Sequence, residues 1–413
     1  ARSGCVGVPC LRDMTACFRN SVSAGSPICC RPLESDMQVI KRTIADNLKN
    51  LRGWRTPRKL VAFAVDDYAN VRVDSREALA RLKGAGLDLS SPFDHLDTVE
   101  TRQDLEALFE VLDSVRDARG RPAIFTAYAM SANPDFGRIL ENGEKYYYET
   151  VSDTFSRLSS EQAAAYDDAW ALWQEGMVKS LIRPQFHGRE HLNIDLFEHK
   201  LRQRSPDVMA NLANKSLAGI TDDPAMSGVG FTHAFGLNDR SQLDRHREIL
   251  RDGLELFEKV WGFRSITFTP PAQKLHPSLF AVAEEGGVVS IDKPLRCVRA
   301  MGDGTQRREI NRSGRQRGQD HVTVVRNVVF EPNKDMGFEP IERAMQQINA
   351  AFRWRKPAII SSHRVNYCGH IDESNRKRGL DALGALLQRI TQRWPGVEFI
   401  SVDQLVKHMG GRT

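Results

Sequence analysis

Cysteine is almost missing from the body of this 413-residue chain. Of its seven cysteines, Cys5, Cys10, Cys17, Cys29 and Cys30 fall near the N-terminus, and only Cys297 and Cys368 come later. A disulfide framework for the body is therefore excluded, and the N-terminal spacings match no CxxC-type zinc site. No apolar run approaches the roughly 18 residues that a membrane span needs, so no transmembrane segment is expected. Gly 30 and Pro 18 are ordinary usage, which excludes collagen-like and wholly disordered readings. The chain also lacks a strong excess of one charge: 58 basic against 53 acidic residues leave +5, so no specific nucleic-acid partner is expected. No internal repeat is apparent.

What is present is the composition of a globular protein, 41% hydrophobic and 27% charged. Residues 1–36 stand apart, rich in Gly, Ser, Pro and Cys and without amphipathic period or signal-peptide pattern. They read as a disordered extension or a mis-set start, because Met37 opens the amphipathic run MQVIKRTIADNLKNL. The default compartment is cytoplasmic, with secretion left open. From Leu60 onward, strands alternate with helices. Strands are expected at Leu60–Asp67, Pro122–Met130, Leu181–Phe186, Leu217–Thr221, Ser265–Thr269, Val288–Asp292, Val322–Phe330, Ala358–His363 and Val397–Val402. Helices are expected at Ser75–Lys83, Thr101–Ala118, Ser160–Met177, Ser241–Val260, Ile341–Trp354 and Glu373–Arg393. The alternation implies a parallel sheet covered by helices, either open or closed into a barrel. Lys293–Gly318 carries eight Lys/Arg and two acids, net +6, and reads as a solvated loop or an electropositive rim that attracts anions.

Four polar clusters follow predicted strands. His187-Gly-Arg-Glu190-His191 places two imidazoles four apart, which on one helical turn would share a face and grip one metal ion. Asp66-Asp67 ends an apolar strand; one carboxylate can ligate a cation while the other accepts a proton. Ser361-Ser362-His363 offers a general acid at a strand end. Phe268-Thr269-Pro270-Pro271 marks a rigid turn. In a parallel α/β barrel the C-terminal strand ends form one face, so the clusters would converge there.

In this order the motifs resemble the polysaccharide deacetylase family of metal-dependent carbohydrate esterases, from about Leu60 to Val406. The family's Asp-Asp strand end corresponds to Asp66-Asp67, its His-x-x-x-His motif to His187 and His191, its Pro segment to Phe268–Pro271, and its late His strand to Ile360–His363. The resemblance implies an α/β fold: a distorted (β/α) barrel of the glycoside hydrolase/deacetylase type with about seven parallel strands. Residues 37–413 would form one domain, with an insertion around residues 131–177. It implies a divalent metal, most often zinc, on Asp67, His187 and His191, with Asp66 as base and His363 as acid. The substrate would be an acetylated glycan, losing its acetyl group to an activated water. A backbone N–H near Pro270 would hold the oxyanion. Arg189, Pro270, Arg364, Asn366 and Tyr147 are candidate substrate contacts. Arg183, Asn193, His370 and the neighbours Tyr146 and Tyr148 are further polar candidates near the motifs.

Two family features have no direct counterpart. Thr269 stands where the family carries an Arg that orients the base; Arg264 and Arg189 are candidates to replace it. The Asp-Trp motif that supports the acidic His is missing, with Asp292 as candidate for its Asp. A catalytically degenerate carbohydrate-binding protein is thus an alternative. A second alternative reads His187-x-x-Glu190-His191 as an HxxEH zinc protease with Glu190 as base. The sequence does not fix the substrate, the metal, N- versus O-deacetylation or the oligomeric state.

Overall fold

The computed structural model describes residues 36–315 and 321–410, so the expected N-terminal extension lies outside the described residues. The apolar runs become strands: β1 Lys59–Tyr68, β2 Phe125–Met130, β3 Ile182–Gly188, β4 Thr267–Phe268, β5 Ser290–Asp292, β6 Val322–Val324, β7 Val328–Val329, β8 Ala358–His363 and β9 Val397–Phe399. They form one sheet in the order β6-β5-β4-β3-β2-β1-β8-β7, every pairing parallel, with β9 parallel on β1. The short strand Gly314–Arg315 adds antiparallel to β6.

The sheet is rolled. Along β1, alternate side chains enter two different apolar clusters, as the two-residue period requires. Val61, Phe63 and Val65 pack under the covering helices. Leu60, Ala62 and Ala64 meet Tyr128, Ile359 and also Val322 and Val324 of β6, at the far end of the strand order. A flat sheet could not bring β1 and β6 into one cluster. Helix Val402–His408 closes this inner cluster with Val402, Leu405 and Val406. Burying each such side chain is worth roughly 1.5–3 kcal/mol. The end strands β6 and β7 are separated in sequence only by residues 325–327 and share no ladder among the described residues. The chain therefore crosses from one end of the sheet to the other in a single short step, at most about 14 Å.

That step corrects one expectation: Val322–Phe330, read as one strand, is two, broken where Arg326 turns inward. Leu217–Thr221 is not a strand. Its Leu217 N–H bonds to Arg72 O, and Asn211 takes both the Ala218 N–H and the Ala218 O, which leaves no ladder to join. The expected helix Ser160–Met177 is three pieces, Val151–Glu161, Ala163–Tyr166 and Ala169–Val178, interrupted where Asp168 takes a left-handed φ of 60°. The basic segment is not a loop throughout: Arg296–Ala300 and Gln306–Ile310 form an antiparallel hairpin. Helix Arg102–Asp113 begins with a reciprocal Thr101/Asp104 capping box, and helix Glu373–Arg393 has the expected bounds. No helix among the described residues is long and apolar enough to cross a membrane.

Candidate functional site

Adjacent residues of a regular strand point to opposite faces, yet Asp66 and Asp67 both line one cleft. A bulge makes this possible. The β1–β2 register shifts between Val65 and Tyr68, and Asp67 and Ala69 adopt positive φ, 74° and 58°. Left-handed non-glycine residues cost about 1–3 kcal/mol each, so the surroundings must hold them. Asn133 does so: its amide donates to Ala69 O at 2.9 Å and accepts from the Val71 N–H at 2.9 Å. The Ala69 N–H donates to Glu100 at 3.1 Å.

His187 lies in β3 and His191 in the turn after it, so the pair is not on a helix as the spacing suggested. Gly188, at φ 153°, turns the chain; a Cβ there would stand 3.1 Å from Glu190 O and 3.2 Å from Pro271. The turn returns His191 to the cleft. His187 Nε2 and His191 Nε2 then reach Asp67 Oδ1 at 3.3 and 3.2 Å, and the three ligand atoms form one group within 4.8 Å. His187 Nδ1 donates to Thr269 O at 2.6 Å, which fixes the ring with Nε2 turned to Asp67. Burial lowers the His191 pKa to about 4, so that ring is neutral. Three ligand atoms gathered at this separation could hold one metal ion. Two imidazole nitrogens and a carboxylate oxygen are the donor set that zinc and similar divalent ions take.

Beside this group, Arg326 grips Asp66 through both oxygens, Nη2 to Oδ1 and Nη1 to Oδ2, each at 2.7 Å. Arg326 Nε bonds to Asp292 Oδ2 at 2.5 Å, and Nη2 also bonds to Thr269 Oγ1 at 3.1 Å. The guanidinium sits 5.3 Å over the Tyr128 ring. The arginine that orients the Asp66 carboxylate thus comes from the β6–β7 step. Thr269 joins the network as a hydroxyl partner. Neither proposed substitute takes this place: Arg264 pairs with Glu258, and Arg189 with Glu190 and Asp252.

His363 is the register partner of Asp66 across β1 and β8, and its Nε2 lies 3.9 Å from Asp66 Oδ2. Its Nδ1 meets Glu331 Oε1 at 2.7 Å. Burial pushes the His363 pKa down, but Glu331 and then the two aspartates outweigh it and raise the value to about 10. The His363 ring therefore carries its proton at neutral pH. Asn366 donates to Glu331 Oε2 at 2.6 Å and fixes that carboxylate. Asp292, the expected support for His363, instead serves Arg326; Glu331 supports the histidine. Phe93 stands edge-on to the His363 ring at 5.2 Å.

Asp66, Asp67, His187, His191, Thr269, Arg326, His363 and Phe93 line a cleft of ≈ 500 Å³ with Pro270, Gln273, Arg72, Asp94 and Thr232; Asp292, Glu331 and Asn366 support it from behind. Other candidates lie elsewhere. Arg364 is buried and bonded to Asp97, Glu100 and Asn70 O. Arg189 holds the Glu190 carboxylate at 2.7 and 3.1 Å, and Glu190 is not part of the Asp67–His187–His191 ligand group, which counts against the protease reading. Tyr147 lies under Arg138, Tyr146 against Phe197, and Tyr148 under Arg189. Arg183 packs on Phe263 at the other end of β3, Asn193 caps helix Ile194–Arg202, and His370 bonds to Gln162. Arg326 and Glu331 were missed. Their only signal in the sequence is position: Arg326 interrupts the apolar run of the expected strand Val322–Phe330, and Glu331 directly follows it.

No protein-family model matches the chain, and no curated protein matches it by sequence. Solved structures do resemble it along most of its length. A Mycobacterium smegmatis protein put forward as a polysaccharide deacetylase is 13% identical, with TM-score 0.42, covering 87% of this chain and 93% of that one. PuuE allantoinase is 11% identical, with TM-score 0.41, covering 86% and 91%. A family 4 acetyl xylan esterase from Clostridium thermocellum, in complex with a cobalt ion, is 14% identical, with TM-score 0.34, covering 86% and 93%.

Proposed function

We propose that the protein is a metal-dependent hydrolase that removes acetyl groups from a polysaccharide or related glycan. One observation carries this reading: an Asp–His–His ligand group adjoins a carboxylate held by Arg326 and a histidine, His363, 3.9 Å from that carboxylate. That is a base and an acid beside one cation site.

Asp67, His187 and His191 would hold the ion. A bound divalent ion would polarise the acetyl carbonyl and lower the pKa of a water toward neutrality. The residues of the chain then divide the proton work. Asp66 accepts a proton from the attacking water through an oxygen that Arg326 keeps oriented. His363 starts protonated and delivers its proton to the departing sugar oxygen or nitrogen. Glu331 stabilises the imidazolium, and Asn366 fixes Glu331. Proton transfer of this kind contributes about 10²–10⁴-fold each. In the turn after Pro270, the Ala272 N–H has no acceptor among the described residues and Ala272 lines the cleft. It is the backbone donor available to a developing oxyanion.

The test is acetate release from a panel of acetylated glycans, with and without a chelator, followed by metal add-back. Chelation should abolish release, and one or more divalent metals should restore it. Asp66→Asn should abolish release while Glu190→Gln retains it. Chelator-resistant release, or release that survives Asp66→Asn, would exclude this mechanism.

A further inference from the structure

A second cavity of ≈ 310 Å³ adjoins the cleft. It lies among residues 227–238, the stretch Lys274–His276 and the hairpin Arg296–Ala300/Gln306–Ile310. The two spaces share a wall: Thr232 and Gln273 line the cleft, and the next residues, His233 and Lys274, line the cavity. No carboxylate lines it, whereas Lys274, Arg299, His233 and His276 all do.

Several donors here lack an acceptor. His276 is 8% exposed, and its Nδ1 accepts the Ser278 N–H at 3.2 Å. Its proton therefore resides on Nε2, which is buried with no hydrogen-bond partner. Arg299, 5% exposed, gives Nη1 to Leu275 O and Nη2 to Glu309, but its buried Nε has no partner. His233 Nδ1 accepts the Gly230 N–H at 2.9 Å, so its Nε2 is also a donor. Lys274 is half-buried and in no ion pair among the described residues. The nearby carboxylates are engaged: Glu309 with Arg299 and Arg307, Asp303 with Arg240, and Asp222 with the Phe231 N–H. Buried donors without acceptors are rare in folded proteins because each forfeits its hydration. His276 Nε2 and Arg299 Nε have no exposed surface, so they reach a bound oxyanion by turning toward the cavity that their side chains line, which would restore the missing bonds.

We propose that this cavity is an anion subsite, seating a carboxylate or phosphate carried by the substrate glycan next to the sugar held in the cleft. Its place in a substrate groove rests on the function proposed above; its affinity for an anion does not. The natural glycan would then be acidic, and the basic hairpin would form the subsite's outer wall.

The experiment is calorimetric titration of the full chain, in chelator, with inorganic phosphate and with glucuronate. Wild type should bind both saturably. Lys274→Glu and His276→Asn should each weaken binding roughly tenfold or more. The asparagine keeps an acceptor for the Ser278 N–H but has no counterpart of Nε2–H. Unchanged circular dichroism shows that each variant is folded, and the half-exposed Lys274 decides if His276→Asn is not. A second arm compares binding of an acetylated uronate-containing oligosaccharide with its carboxyl-reduced form. Wild type should prefer the acidic form roughly tenfold, and Lys274→Glu should not discriminate. Absence of anion binding, or binding undiminished in folded variants, overturns the subsite. Phosphate binding with equal affinity for the two oligosaccharides overturns its link to the substrate and leaves a site for a free anion. Neither arm reads acetate release, so failure of the hydrolase reading would be seen separately.

Discussion

Asp66 and Arg326 are joined by two hydrogen bonds of 2.7 Å in an end-on fork, although 260 residues separate them. Arg326 also ties Asp66 to Asp292 and Thr269, so one cation orients the base and offsets two buried acids. Lysine offers a point charge rather than a planar fork. Arg326→Lys should therefore lower kcat by about 10²-fold or more with little change in KM, as expected when a base is misoriented. Arg326→Met should go further and destabilise the fold by roughly 3–5 kcal/mol, because it leaves buried carboxylates uncompensated. Chemical denaturation of both variants, beside steady-state kinetics, separates the two effects.

The His363–Glu331 pair predicts a pH-dependent stability. His363 titrates near 10 in the folded chain, above the usual histidine value of 6.5. A raised folded pKa stabilises fully below the unfolded value and is lost as pH rises through the folded one. The advantage of wild type over Glu331→Gln should accordingly be largest at about pH 6 and shrink toward pH 10. Denaturant midpoints across that range measure it. In activity profiles, Glu331→Gln should move the basic limb to lower pH, because a neutral amide supports the imidazolium less well. A basic limb unmoved by Glu331→Gln would remove His363 as the acid.

Much of this site was legible because its residues lie in runs that announce themselves. LVAFAVDD and AIISSH are apolar strands ending in polar groups, and a parallel sheet gathers such ends on one face. The local geometry was less legible. HGREH has helical spacing, yet Gly188 makes it a turn, and only the fold brings both rings to Asp67. Arg326 and Glu331 were hidden for a different reason. They act from a chain crossing between the two ends of a rolled sheet, a relation set by long-range closure rather than by spacing. The short break in Val322–Phe330 carries no glycine or proline to mark it.

Metal binding should stabilise the fold measurably. An ion that binds only the native state adds about 2.7 kcal/mol at a hundredfold excess over its Kd. Thermal unfolding of chelated protein should therefore shift upward on addition of zinc, and His187→Ala or His191→Ala should erase the shift. Glu190→Gln should retain it, since that carboxylate is held by Arg189 rather than facing the histidines. A zinc-induced shift that persists in both histidine variants would place the ion elsewhere.

Asn133 supplies the last test, because it touches neither the proposed ion nor the cleft. Its amide holds Ala69 O and its carbonyl oxygen the Val71 N–H, the two bonds that keep the strand exit after Asp67 in its strained form. Asn133→Ala removes both and leaves buried backbone groups unsatisfied, a loss of roughly 1–3 kcal/mol in stability. The strain at Asp67 and Ala69 would then relax toward ordinary strand geometry, and a regular strand turns Asp66 and Asp67 to opposite faces. Metal affinity should fall in Asn133→Ala even where the protein remains folded, and Asn133→Asp should recover only the bond to Val71. Zinc titration of folded variants reads this directly. Unchanged zinc affinity in Asn133→Ala would mean that the sheet and the Glu100 bond to the Ala69 N–H hold the bulge without Asn133.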